Sequence, residues 1–167
     1  LSCATKKPMA NVSKATLLPD CPTAGTCTVE LFQNKSMVIN FDNNRNTYSL
    51  VDNFEKNVVV FTYNKTVKGN LQDAGYREEV IFETEKTLSD GHFQDAEIQN
   101  TQMLFGRFCY CKGQTGYYKV SNGKMQVDAP GNIILDFTIS EVPQIINHIK
   151  LSQKKKRARF RTLYYFS

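Results

Sequence analysis

From Cys27 onward the chain alternates apolar and polar residues with a period of two. Cys27, Val29 and Leu31 fall on one face, with Thr28 and Glu30 on the other. Met37, Ile39 and Phe41 continue the alternation, and Val58-Val59-Val60-Phe61-Thr62-Tyr63 is an apolar, β-branched run suited to a central strand. A period of two sends successive side chains to opposite faces of a pleated strand, so one set reaches a core while the other meets water. Further strand-like runs lie at 48–50, 80–82, 97–111, 118–120, 125–127 and 133–139. The set predicted to face the core is Leu31, Ile39, Phe41, Val60, Val80, Phe82, Leu135 and Phe137.

The breaks between these runs carry turn chemistry. Asn34-Lys35 reads as a tight turn, Asp42-Asn43-Asn44-Arg45-Asn46 as a strong turn segment, and Gly106 as a bulge or bend. Asn122-Gly123 predicts a type I′ hairpin between the runs at 118–120 and 125–127, because Asn and Gly both accept positive φ. Pro130-Gly131 reads as a type II turn into the last long run. No apolar stripe at a spacing of 3.6 is sustained anywhere. Ile145, Ile146 and Ile149 fit one helical turn about as well as a strand. Roughly ten strands without long helices imply an all-β domain: an antiparallel β-sandwich, or alternatively a lipocalin-sized β-barrel, since barrels of that size use meanders. Residues 1–26 lack periodicity and read as an N-terminal tether or linker ahead of a single domain at 27–167.

Composition agrees with a globular domain: 41% of the 167 residues are apolar and 22% charged, and no apolar run approaches a membrane span. The net charge of +5 describes only one end. Seven basic residues lie from Lys150 onward with no acidic ones, and the rest of the chain has 14 basic against 16 acidic residues. That end combines Lys154, Lys155, Lys156, Arg157, Arg159 and Arg161 with Phe160, Tyr164, Tyr165 and Phe166. It fits a charged edge strand that resists sheet-to-sheet pairing, or a patch for an anionic envelope component; nucleic acid is the weakest of its readings.

Cysteine use sets the compartment. There are five: Cys3, Cys21, Cys27, Cys109 and Cys111. Leu1-Ser2-Cys3 followed by the polar Ala4-Thr5-Lys6-Lys7-Pro8 resembles the processing junction of a bacterial envelope lipoprotein, in which the cysteine is lipidated. The resemblance implies export, a lipid anchor at Cys3 and a membrane surface as partner, in the periplasm or at the outer membrane, with secretion as the alternative. The other four cysteines are disulfide candidates. Cys109 and Cys111 share a strand face, so their direct union would be strained; the expectation is that each pairs with Cys21 or Cys27 and clamps the lead-in to the sheet. Free thiols, or four thiolates around zinc, are the other arrangements.

No standard catalytic or phosphate-binding motif is present, and no cofactor is implied. Asp90, His92 and Asp95 form a loop that could act as an acid/base or cation site, but ordinary solvated turn chemistry is the stronger explanation of it. His148 has no evident partner. Phe105, Phe108, Tyr110, Tyr117 and Tyr118, flanked by Lys112, Lys119 and Lys124, offer stacking surfaces, with Phe108, Tyr110, Tyr117, Tyr118 and Lys119 the candidate ligand face. Asn-x-Ser/Thr triplets begin at Asn11, Asn34 and Asn64 and discriminate nothing. The sequence therefore reads as a non-catalytic envelope lipoprotein that binds or scaffolds. The alternatives are a β-barrel carrier of a small apolar ligand, and a thiol-based redox or metal-binding protein using Cys109 and Cys111.

Overall fold

The long alternating stretch folds back on itself at two asparagines. Strand β3 (Gly25–Asp42) and strand β4 (Arg45–Lys65) are joined by Asn43 and Asn44, with φ of 49° and 60°. Two consecutive positive φ values make a type I′ turn, which Asn tolerates because its short polar side chain bonds locally. The described part of this computed structural model is residues 12–14, 17–69, 75–128 and 131–153. The other strands are β1 (Val12–Lys14), β2 (Leu17–Pro19), β5 (Tyr76–Glu85), β6 (Gly91–Gln94), β7 (Leu104–Cys109), β8 (Gly116–Lys119), β9 (Gly123–Asp128), β10 (Asn132–Phe137) and β11 (His148–Gln153). One short 3-10 helix spans Asp95–Thr101.

The strands form two sheets, ordered β1-β3-β4-β5-β7-β8 and β2-β11-β10-β9-β6, with every pairing antiparallel. β1 and β2, within the stretch expected to be a tether, add one strand to each sheet. The first sheet closes on itself. Thr62 of β4 pairs with Glu79, Glu79 with Gly106, and Gly106 with Tyr117, and Tyr117 pairs with Asn46 of the same β4. The fold is all-β, with a small antiparallel barrel and a second antiparallel sheet.

Closure depends on a bulge. Gln33 pairs with Asn57 but Lys35 pairs with Asp52, so residues 53–56 stand opposite Asn34 alone. Asn34 takes φ 56°, and its N–H donates to Asn57 Oδ1 at 3.1 Å. A bulge bends the strand and raises its twist, which turns the far half of the hairpin back over the sheet. The turn expected at Asn34-Lys35 is thus a bulge within a continuous strand.

Each face of the first sheet has its own core. On one side Val59, Phe61, Tyr63, Val80, Phe82 and Phe105 pack against Met125, Val127, Ile133, Leu135, Phe137, Ile149 and Leu151 of the second sheet. On the other, Val58, Val60, Ile81 and Leu104 pack against Met37 inside the barrel. A strand covered on both faces reads as a continuous apolar run, which is why 58–63 does. Five of the eight expected core residues are buried: Val60, Val80, Phe82, Leu135 and Phe137. Leu31 and Ile39 are half-buried against the two cores. Phe41 is 69% exposed, because it lies at the hairpin tip beyond the reach of either core.

Other expectations need correction. Asn122-Gly123 makes no hairpin: β8 belongs to the first sheet and β9 to the second, so the chain crosses between layers there. Gly123 is still required at that crossing. Its φ is +146°, and a Cβ would collide with the Asp136 carbonyl. The strand expected over 97–111 begins only at Leu104. Before it, the Gln94 N–H donates to the Glu97 carboxylate at 3.0 Å, ends β6 and starts the 3-10 turn. Ile149 lies in β11, while Ile145 and Ile146 precede it without forming a helix. Gly131 has φ +110° and its N–H donates to the Asp128 carbonyl; Pro130 lies outside the described residues.

The cysteine clamp is also not formed. Cys21 is bonded to Cys27, with Cα atoms 5.7 Å apart, and closes the turn that leads into β3. Cys109 and Cys111 are likewise in bonding contact, Cα atoms 5.1 Å apart. The strand ends at Cys109 and the chain bends at Tyr110, between the two residues.

Candidate functional site

The row that closes the barrel leaves an aromatic and charged platform at its mouth. Arg77 and Glu79 of β5, Phe108 of β7 and Tyr117 of β8 point to the barrel side, as the strand alternation requires. They form a ring of contacts. The Arg77 guanidinium lies over the Phe108 ring at 4.4 Å, and its Nε is 3.2 Å from Glu79 Oε1. Tyr117 donates its hydroxyl to Glu79 Oε2 at 2.8 Å, and its ring meets Phe108 edge-on at 5.2 Å. Tyr48, from the returning half of the hairpin, adds a second edge contact to Tyr117 at 5.3 Å. Edge-to-face pairs of this kind place the positive edge of one ring on the negative face of the next.

Gly106 makes the platform possible. It sits in a regular ladder opposite Tyr117 and Glu79, not at a bulge as its type suggested. A Cβ there would lie 2.7 Å from the Tyr117 ring and 2.8 Å from the Phe108 ring. Replacing Gly106 with Ala sets two effects against each other: a strand gains about 0.5–1 kcal/mol in propensity, and overpacking costs about 1–3 kcal/mol. The second dominates, and a net loss of about 1 kcal/mol is expected in urea unfolding, with an altered near-ultraviolet tyrosine circular dichroism signal. An unchanged midpoint and signal would show that the rings do not rest on this glycine.

Burial acts on the tyrosines. Tyr117 is pushed far above its ordinary value, first by burial and then by its hydrogen bond to the Glu79 carboxylate. Tyr48 is raised as well, with burial the largest cause. On the opposite face, Tyr76 is pushed up to about 12 by burial, with the hydrogen bond to Glu78 adding to it. A raised pKa means the folded state holds the neutral phenol more tightly than the unfolded chain does. The stability this contributes is complete below the unfolded value of about 10 and is lost as pH rises through the folded values. Unfolding midpoints should therefore fall between pH 10 and 12, and Tyr76→Phe should flatten that fall. A variant profile parallel to that of the parent would remove Tyr76 from the account.

Of the aromatic residues singled out from sequence, the fold unites only Phe108 and Tyr117. Tyr118 faces the main core and donates its hydroxyl to the Gln114 carbonyl at 2.9 Å. Phe105 is buried against Phe137, ring centroids 5.8 Å apart. Tyr110 is 85% exposed in the bend after β7, beside exposed Lys112. Lys119 is exposed on the same strand face as Tyr117, and Lys124 lies in the other sheet. Tyr48, Arg77 and Glu79 escaped notice. Their period-two phase was readable, but which strands the bulge would bring together was not.

The remaining candidates separate. His92 is exposed on β6, Asp95 Oδ1 accepts the Gly123 N–H at 3.0 Å, and Asp90 lines a cleft with Lys56 and Glu83. His148 Nδ1 lies 2.5 Å from Asp136 Oδ1, a partner on the neighbouring strand that the sequence did not reveal. Among the described residues no three His, Cys, Asp or Glu side chains gather as metal ligands would. Cys3, Asn11 and the basic patch at Lys154, Lys155, Lys156, Arg157, Arg159 and Arg161 lie outside the described residues.

Fold and platform define an all-β protein whose small barrel presents an aromatic–carboxylate mouth. No protein-family model matches the chain, and no curated protein or solved structure matches it.

Proposed function

We propose that the protein is a non-catalytic binding module of the bacterial cell envelope, tethered through Cys3, with the barrel mouth as its recognition face. The observation that carries the reading is the ring of Arg77, Glu79, Tyr117 and Phe108; Phe41, 69% exposed, is opposite Asn46, which in turn pairs with Tyr117. Aromatic faces stack on the C–H faces of sugar rings, and an Arg–Glu pair supplies both donors and acceptors for hydroxyl groups. The ligand class is an envelope saccharide.

A carrier of a small apolar ligand has less support, since Met37, Val58, Val60, Ile81 and Leu104, 0–8% exposed, fill the barrel.

Calorimetric titration against purified envelope oligosaccharides tests the reading. Phe108→Ala and Phe41→Ala should each weaken binding about tenfold, the worth of a lost stacking contact. Binding that is absent in the parent, or unchanged in both variants, rejects the platform. Metabolic labelling with an alkyne fatty acid tests the anchor, and the label should vanish in Cys3→Ser.

A further inference from the structure

The two cysteine pairs differ in what they hold together. Cys21–Cys27 joins the lead-in to β3, and both residues pack against the main core. Cys109–Cys111 joins nothing that the backbone does not already hold. The two lie two residues apart, and β7 is paired along one side with β5 and along the other with β8. In the chain-entropy model stabilisation grows with loop length, so a ring this small constrains the unfolded chain least. It crosses no layer of the fold.

Its surroundings suit chemistry better than support. Both residues are half-buried and line an open cleft with Tyr110 and Lys112, and Tyr110 between them is 85% exposed. The bend is held by backbone groups independent of the sulfurs. Gln114 N–H donates to the Cys111 carbonyl at 3.2 Å, and the Thr115 hydroxyl donates to the Cys109 carbonyl at 2.9 Å. The sulfurs are thus kept as neighbours whether bonded or not. Lys112 lines the cleft, and Arg107 shares the strand face of Cys109 two positions back. Cations beside a cysteine favour its thiolate, which is the leaving group when a disulfide is attacked.

We propose that Cys109 and Cys111 form a thiol–disulfide exchange site whose substrate is a pair of neighbouring thiols on a partner polypeptide. One partner thiolate attacks a sulfur of the pair; the Cys109–Cys111 bond breaks, a mixed disulfide forms, and the other cysteine leaves as a thiolate with the electron pair. The partner's second thiolate then attacks the mixed disulfide at the partner sulfur. That step oxidises the partner to a disulfide, and the second cysteine departs as a thiolate. Cys109 and Cys111 end as a dithiol, and a disulfide on an oxidised carrier protein restores them by the same two steps in reverse. The site is independent of the saccharide-binding reading.

The test uses the full chain carrying Cys3→Ser, so that thiols can be counted without ambiguity, and a reduced peptide with a Cys-x-x-Cys pair as probe. The peptide should be oxidised mole for mole. Cys109 and Cys111 should become open to alkylation, with Cys21–Cys27 intact by mass mapping. Adding Cys109→Ser and Cys111→Ser together should slow peptide oxidation at least about tenfold, because only the core-packed bond remains, and should leave the denaturation midpoint unchanged. Cys111→Ser alone should accumulate a covalent adduct with an oxidised form of the probe. Peptide oxidation undiminished in the double variant, opening of Cys21–Cys27 ahead of Cys109–Cys111, or a large fall in the double variant's midpoint would each overturn the proposal.

Discussion

Replacing Glu78 with Ala should destabilise the fold by about 3–5 kcal/mol, since each buried N–H left without an acceptor costs about 1–3 kcal/mol. Glu78 is fully buried on the face of β5 that meets the second sheet. Its two oxygens accept the backbone N–H groups of Ile145 at 2.6 Å and Ile146 at 2.7 Å, and also the Tyr76 hydroxyl. These bonds fasten the irregular segment between β10 and β11, whose Val142 and Ile146 enter the main core. Arg107, itself buried, donates to the Tyr76 hydroxyl at 3.3 Å and to Gln114 at 2.6 Å, so the carboxylate also anchors a short polar chain. Glu78→Gln keeps one acceptor oxygen and should lose less than Glu78→Ala. Urea unfolding at pH 7 reads both. A loss below about 1 kcal/mol for the Ala variant, no more than one ordinary hydrogen bond, would mean the segment is held by its apolar contacts alone.

Phe137→Ala should cost about 3–5 kcal/mol, the range for deleting a buried aromatic side chain, whereas Phe41→Ala should stay within about 0.5 kcal/mol of the parent. Phe137 is 2% exposed and meets Phe105 of the facing sheet at 5.8 Å, so its removal opens a cavity at the seam between the layers. Phe41 has the same phase in its strand as Met37 and Ile39 but lies past the end of the packed region. Alternation alone gives the two residues equal standing. Comparable losses for both variants would show that the hairpin tip packs on the body of the protein.

Much of the fold was legible locally because strand alternation and turn residues are local properties. The run at 58–63 announced a central strand, and the Asn-rich segment at 42–46 announced a turn; that the strand is covered on both faces emerged only from the two cores. The failures share one cause. Asn122-Gly123 has the composition of a tight hairpin, yet its flanking strands find partners in different sheets, and no short-range signal encodes which layer a strand joins. Gly106 was read as a bulge or bend because glycine inside a strand often marks one, whereas rings from two other positions cover it. The cysteines were paired by assuming straight strands, and one bend at Tyr110 changed the geometry.

The same division holds for the candidate site. Sequence by itself pointed to an all-β chain, placed Phe108 in a strand, and left four of its cysteines as disulfide candidates beside free-thiol and zinc arrangements. Only the tertiary structure decided that Tyr117 would meet Tyr48 and Glu79, residues 69 and 38 positions away by the numbering. It also decided that Cys21 and Cys109 would each bond within their own segment. The physical reason is that alternation fixes which face a side chain occupies, while the partner across that face is set by long-range pairing. Here that pairing turns on the bulge at Asn34, which curls one hairpin until β4 meets β8.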